Sequence, residues 1–200
     1  MKKIISLTLA IVILILASGC SPDFQMTRGK IEGNVYLNET LFFKFNKPDS
    51  WVYSTDEEIA AAINVGIDAL SKDFKGTVDA NLTTYDMMAV DSVTRANLSV
   101  GYENLEKSMA SNITVEQYIN AMKEQSKQLT GITIFFPDNY DAAKLGKDYF
   151  TKLVCTTVMR GVEITQVYYL RKVDKYMATI IVTLPKDSYT IRELEEMFTW

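Results

Sequence analysis

The chain has no histidine and only two cysteines, Cys20 and Cys155, and these two shortages exclude a good deal of chemistry. Without imidazole there is no histidine-ligated zinc, no Ser-His-Asp or Cys-His catalytic set and no histidine pH switch. Glycine and proline are scarce, at 9 and 4 residues, while 48% of residues are hydrophobic, so wholesale disorder is excluded. Basic residues are outnumbered, 21 against 25 acidic, which argues against nucleic acid and against electrostatic attraction to anionic lipid. No glycine-rich phosphate loop, metal-ligand spacing or nucleophile beside a base stands out, and no cofactor is expected.

Long apolar runs are also lacking, with one exception at the start. Lys2 and Lys3 precede an unbroken apolar stretch from Ile4 to Ala17, followed by Ser18, Gly19 and Cys20. About 14 residues fall short of the roughly 20 that span a bilayer, so the segment reads as a signal peptide and not as a permanent membrane helix. Small residues before a cysteine resemble a bacterial lipobox, although Ala17 stands where the commoner pattern has Leu. The resemblance implies cleavage after Gly19 and a diacylglycerol thioether on Cys20. The alternative is an ordinary secretory signal with an incidental cysteine. Removing residues 1–19 takes two lysines and no acid, so the mature chain carries a formal charge of −6. Cys155 is then left without a partner for an internal disulfide. Sequons at Asn38, Asn81, Asn97 and Asn112 have no expected role in a bacterial lipoprotein.

Three segments are expected: a signal peptide over 1–19, a lipidated tether over 20–33 and one globular domain over 34–200. The tether reading rests on small and polar residues with Pro22, Gly29 and Gly33 and no periodicity. Alternation predicts strands at Asn34–Asn38 and Leu41–Asn46, the second ended by Pro48. Thr55-Asp56-Glu57-Glu58 is a capping box that opens a helix to about Ser71 with Ile59, Ala62, Ile63, Ile67 and Leu70 on one face. Strands follow at Leu82–Val90 and Ala96–Glu103. A second box, Thr114 to Gln117, opens a helix closed by Gly131, and Ile132–Phe136 is a short strand stopped by Pro137. The last third reads as a meander, Asp148–Met159, Val162–Val173 and Tyr176–Leu184. Ala178 to Val182 is apolar on both faces, which places that strand centrally. Thr190 to Glu193 caps a final helix.

The run Phe43-Lys44-Phe45-Asn46-Lys47-Pro48-Asp49-Ser50-Trp51, the later hairpins and the closing Leu194-Glu195-Glu196-Met197-Phe198 resemble the PsbP-like family. The resemblance covers roughly Val35 to Trp200. It implies an α/β/α sandwich, a largely antiparallel sheet flanked by helices on both faces, and it implies no activity, since no functional residue of the family is matched.

Candidate chemistry is thin. Asp86 with Asp91, and Glu193 with Glu195 and Glu196, are acid clusters that suit acid/base work or, more simply, solvated surfaces. Asp138, Asn139 and Asp141 offer oxygen ligands without the spacing of a calcium loop. Met87, Met88, Met109, Met122, Met159, Met177 and Met197 are soft ligands, or gap-fillers of a core. Cys155 reads as a buried inert thiol. Tyr168 and Tyr169 lie on opposite faces of one strand and are either two buried core rings or, with Trp51, the candidate aromatics of a binding surface where any of them is not buried. The expected function is an extracytoplasmic lipoprotein, held to the membrane by Cys20, that binds an envelope protein without catalysis. The alternatives are a small-molecule-binding lipoprotein and a carboxylate hydrolase.

Overall fold

A computed structural model describes Phe24 and residues 26–108 and 110–200. The expected signal peptide and the expected acylation of Cys20 lie outside the described residues. Two antiparallel sheets make up most of the domain. The smaller contains β1 (Lys30–Glu32), β2 (Val35–Asn38), β3 (Phe43–Asn46) and β12 (Phe198–Thr199), in the order β1-β2-β3-β12. The larger runs β4 (Trp51–Tyr53), β5 (Thr83–Asp91), β6 (Asn97–Asn104), β11 (Tyr176–Leu184), β10 (Val162–Val173), β9 (Asp148–Met159), β7 (Ile132–Phe135). A further strand, β8 (Asp141–Leu145), pairs with β9 beyond β7. The helices among the described residues are short: α1 (Asp56–Ile63), α2 (Ile67–Lys72), α3 (Phe74–Ala80), α4 (Val115–Ser126) and α5 (Ile191–Glu196).

The expected helix-flanked α/β/α sandwich is therefore incorrect. One face of the large sheet is covered chiefly by the small sheet, with α1 to α3 beside it, and α4 packs on the other face with Leu105, Ile113 and Phe136 around it. The sheets meet through aromatic rings: Phe198 lies 5.3 Å from Phe43, 5.2 Å from Phe45 and 6.4 Å from Tyr169 of the large sheet, between ring centroids. The physical reason for the correction is helix length. The helix expected to reach Ser71 stops at Asn64, which adopts the left-handed conformation (φ 55°), and Gly66 then caps a separate α2. Pieces of eight and six residues span about 12 and 9 Å, too little to cover an eight-stranded sheet. Pro48 with the turn at Asp49 and Ser50 also separates β3 from β4, so neighbouring strands in sequence enter different sheets.

The meander β9–β10–β11 forms as expected, with continuous antiparallel register from Val162↔Met159 and Val173↔Tyr176. β11 is central, between β6 and β10, and its two faces feed different cores. Ala178, Ile180 and Val182 join the main core, while Met177 joins Leu105, Ile119, Leu153, Cys155, Tyr168 and Leu170 under α4. α4 is set by the expected capping box, in which Thr114 accepts from the Gln117 N–H and Gln117 accepts from the Thr114 N–H.

The described part of the expected tether is docked on the domain. Met26 is buried, the Thr27 N–H donates to the Thr40 hydroxyl at 3.1 Å, that hydroxyl donates back to the Thr27 carbonyl at 3.2 Å, and Lys30–Glu32 pairs with β2. A backbone that looks punctuated in sequence is thus ordered by partners far along the chain.

Candidate functional site

The acids that sequence alone offers for catalysis are each held by their own structural partners. Asp86 sits between the two sheets, 2% exposed. It accepts from the Tyr36 hydroxyl (2.7 Å), the Asn38 amide (3.0 Å) and the Gly29 N–H (3.0 Å), with the Arg28 Nε 3.9 Å away. Asn38 also donates to the Tyr102 hydroxyl at 3.0 Å. Burial pushes the Asp86 carboxyl up to about 6, against the Tyr36, Gly29 and Arg28 contacts that favour its charge. Arg28 points its fork at Asp56, 2.6 Å between Nη2 and Oδ1, so the cluster joins β1's approach, β2, β5 and α1.

Asp91 lies five residues further along the same strand, about 16 Å away at strand spacing. Burial opposes its charge, yet the Thr94 hydroxyl, the Val93 N–H and the Tyr189 hydroxyl hold its carboxyl well below the usual range. It closes the β5–β6 turn and, through Tyr189, touches the Trp51 indole N–H at 3.0 Å. The two aspartates share no partner and no cleft. Glu193 completes the α5 capping box, Glu195 pairs with Lys152 and accepts from Tyr169, and Glu196 pairs with Arg192. Among the described residues no three acid or thiol side chains gather as a metal site, so Asp138 and Asp141 stay a loop and a strand start, with Asn139 exposed between them. Of the methionines among the described residues, Met87 and Met177 are fully buried core, whereas Met159 is 44% exposed.

Cys155 is fully buried and free, in the core under α4, and burial pushes its thiol up to about 11. A thiol reagent is expected to label it roughly a hundredfold more slowly in the folded protein than in denaturant, since access requires opening of α4. Equal labelling rates would contradict this packing.

Of the two readings open for these aromatics, core rings or a binding face, the structure bears out the core. Trp51 is 1%, Tyr169 0% and Tyr168 8% exposed, with Tyr169 against the small sheet and Tyr168 under α4. Several grooves are open among the described residues, two of them on the faces of the sheets. The first lies beside α4. One helix of twelve residues leaves the β5–β6–β11 part of its face uncovered, and a shallow groove of about 130 Å³ runs between Tyr118 and Met122 of α4 and the floor made by Tyr85, Thr179 and Ile181. Gly101 lets the Tyr85 ring lie across the sheet, since a Cβ there would meet its Cδ1 at 3.1 Å. The Tyr118 hydroxyl donates to Glu103 at 2.6 Å and fixes the wall of this groove.

The second surface is the outer face of the small sheet, a groove of about 540 Å³ over Val35 and Leu37 edged by Lys30, Glu32, Lys44 and Trp200. At its end Phe42 and Trp200, each 44% exposed, pack with ring centroids 5.8 Å apart and planes inclined at 58°. The ammonium groups of Lys147 and Lys44 lie 3.9 and 5.9 Å from the centre of the Trp200 ring. Three segments distant in sequence build this point: the β2–β3 turn, the β8–β9 turn and the residue after β12. Sequence reading missed it because nothing local marks Phe42, Lys147 and Trp200 as neighbours.

No family model matches the sequence, and no curated protein matches it. Among solved structures, the solution structure of cyanobacterial PsbP (CyanoP) from Synechocystis sp. PCC 6803 is similar at 12% identity, over 90% of this chain and 97% of that chain, with a TM-score of 0.45. A PsbP-like protein is thus a structural neighbour of this chain at a low TM-score.

Proposed function

We propose that the chain is an extracytoplasmic lipoprotein, acylated on Cys20, whose folded domain binds an envelope protein and performs no catalysis. The observation that carries the binding reading is the open groove beside α4, where Tyr85, Thr179 and Ile181 are half-buried next to Tyr118 and Met122. A flat, mixed apolar and hydroxyl surface next to a fixed helix suits a protein partner, which needs shape and a few aromatic contacts. Small-molecule sites are deeper and more enclosed than the open grooves described above. The carboxylate-hydrolase reading loses support because each acid cluster is consumed by caps, ion pairs or inter-sheet contacts. Acylation of Cys20 places the domain at the membrane without a spanning helix, as two or three acyl chains hold where one would not. No helix among the described residues is long and apolar enough to cross a membrane.

The test is site-resolved photocrosslinking of the full chain in the cells that make it. A photoreactive residue at Thr179 is expected to give a discrete protein adduct, and one at Glu57, exposed on α1, is expected to give none. Equal adducts from both sites, or a catalytic activity abolished by a single Asp or Glu substitution with the fold intact, would overturn the reading.

A further inference from the structure

We propose that Phe42 and Trp200, with Lys44 and Lys147, seat the folded domain on the bilayer interface itself; this rests on the acylation of Cys20 proposed above. The first support is where the chain enters the fold. Thr27 is tied by two hydrogen bonds to Thr40, two residues before Phe42. Before Thr27, Phe24 and Met26 are already packed on the core, the Phe24 ring 6.2 Å from that of Tyr176, and the four positions from Cys20 to Phe24 reach at most about 14 Å. An acylated Cys20 lies in the membrane surface, so the end of the domain that carries Phe42 is the end held closest to lipid.

The second support is the make-up of that end. Phe42 has φ 56°, a left-handed conformation that a bulky side chain adopts only when its surroundings impose it, and its ring is held outward. The imposed contact is visible: the Lys147 N–H donates to the Phe42 carbonyl at 3.0 Å. Phenylalanine and tryptophan side by side, with lysine ammonium groups stacked on the indole, are the residue types that settle at a membrane interface, rings at headgroup level and lysine heads in water. Charge alone does not drive the seating. The mature chain is net negative, Glu32 lies on the same face, and Lys30 is paired with Glu39 at 3.6 Å. The two rings therefore supply adhesion, and Lys44 and Lys147 offset locally the repulsion that an acidic domain meets at an anionic surface.

The experiment uses the mature lipidated protein reconstituted into phosphatidylethanolamine–phosphatidylglycerol vesicles with brominated acyl chains. Trp51 is buried, so the emission of a Trp200→Phe variant gives the core contribution to subtract. The Trp200 component is expected to be quenched about twofold by the brominated lipid, and a Phe42→Gly variant, which relaxes the backbone and removes the ring, is expected to lose most of that quenching. Retention on vesicles with Trp200 unquenched and open to acrylamide overturns the seating alone. Trp200 unquenched but shielded from acrylamide assigns the surface to a protein or a second copy and also overturns it. A protein that does not stay on the vesicles overturns the acyl anchor, and the seating with it.

Discussion

Asp86→Ala is expected to destabilise the fold by about 3 kcal/mol at pH 7, more than any surface substitution, because it strands three donors inside the molecule. The Tyr36 hydroxyl, the Asn38 amide and the Gly29 N–H all point at Asp86. Part of their loss is offset, since the wild-type carboxylate is itself costly to bury. That offset makes the pH dependence diagnostic. The folded carboxyl titrates near 6 and the ordinary value is 3.8, so the folded state holds its proton more tightly. Stability therefore rises as pH falls from about 6 to 4, by about 3 kcal/mol over that window, and is lost again as pH rises through it. Asp79 and Asp91 behave in the opposite sense. Burial raises both, but hydrogen bonds outweigh it, with Lys175 adding to them at Asp79, and both carboxyls are held well below the ordinary value. Their contribution is present above about 4 and is lost in stronger acid. Guanidinium midpoints between pH 3 and 8 should peak near pH 4 to 5 in the wild type, and Asp86→Ala should lack the rise between 7 and 5. A wild-type midpoint that falls between pH 7 and 5 would show that Asp86 is not buried with this set of partners.

The same cluster explains why the Gly29 and Arg28 stretch is ordered. A segment with no periodicity of its own gains a backbone bond to Asp86 and a bidentate pair between Arg28 and Asp56. These are contacts across 57 and 28 residues, so no local reading of residues 26–33 reveals them.

What was legible in sequence follows from this distinction between local and distant causes. The capping boxes at Thr55, Thr114 and Thr190 are all present, because a cap is a four-residue interaction. The long hairpins β9–β10 and β10–β11 are legible because strand-forming runs of nine to twelve residues are separated by the two-residue turns Arg160-Gly161 and Asp174-Lys175. By contrast α3 carries Gly76 in its middle and has little periodicity, and β12 is two residues long and pairs with β3 some 150 positions earlier. Fold class was misjudged for the same reason. Alternating strands at Val35–Asn38 and Phe43–Asn46 announce strands but not which sheet they join. Core and binding surface stay equally open for Tyr168 and Trp51 in sequence because the elements that bury them, α4 and Tyr189, come from elsewhere in the chain. Asp86 looked like a surface acid because sequence shows its charge and not its neighbours.

Gly146→Ala is expected to cost about 3 kcal/mol and to dismantle the Phe42–Trp200 point, although the change adds one methyl group to a turn. Gly146 has φ 64°, so any side chain there carries the left-handed penalty of roughly 1 to 2 kcal/mol. It also has no room, since a Cβ would stand within 3 Å of the Phe42 carbonyl oxygen and of Cα and Cβ of Phe43. These are backbone and root atoms that no rotamer change can remove. Phe43 is fully buried against Tyr36 and Phe198, so the core resists and the β8–β9 turn is the part that gives way. Its withdrawal breaks the Lys147 N–H bond to the Phe42 carbonyl and lifts the Lys147 ammonium from the Trp200 ring. Gly161→Ala is the matched control. Its φ is 78° but nothing lies within 4 Å of the added Cβ, so it should show the backbone penalty alone. Unfolding midpoints are expected to place Gly146→Ala about 2 kcal/mol below Gly161→Ala, the part owed to overpacking, and a red shift of Trp200 emission should accompany the first variant only. Equal losses in the two variants would mean that the turn does not press on Phe42 in solution, and the strain that holds the Phe42 ring outward would need another source.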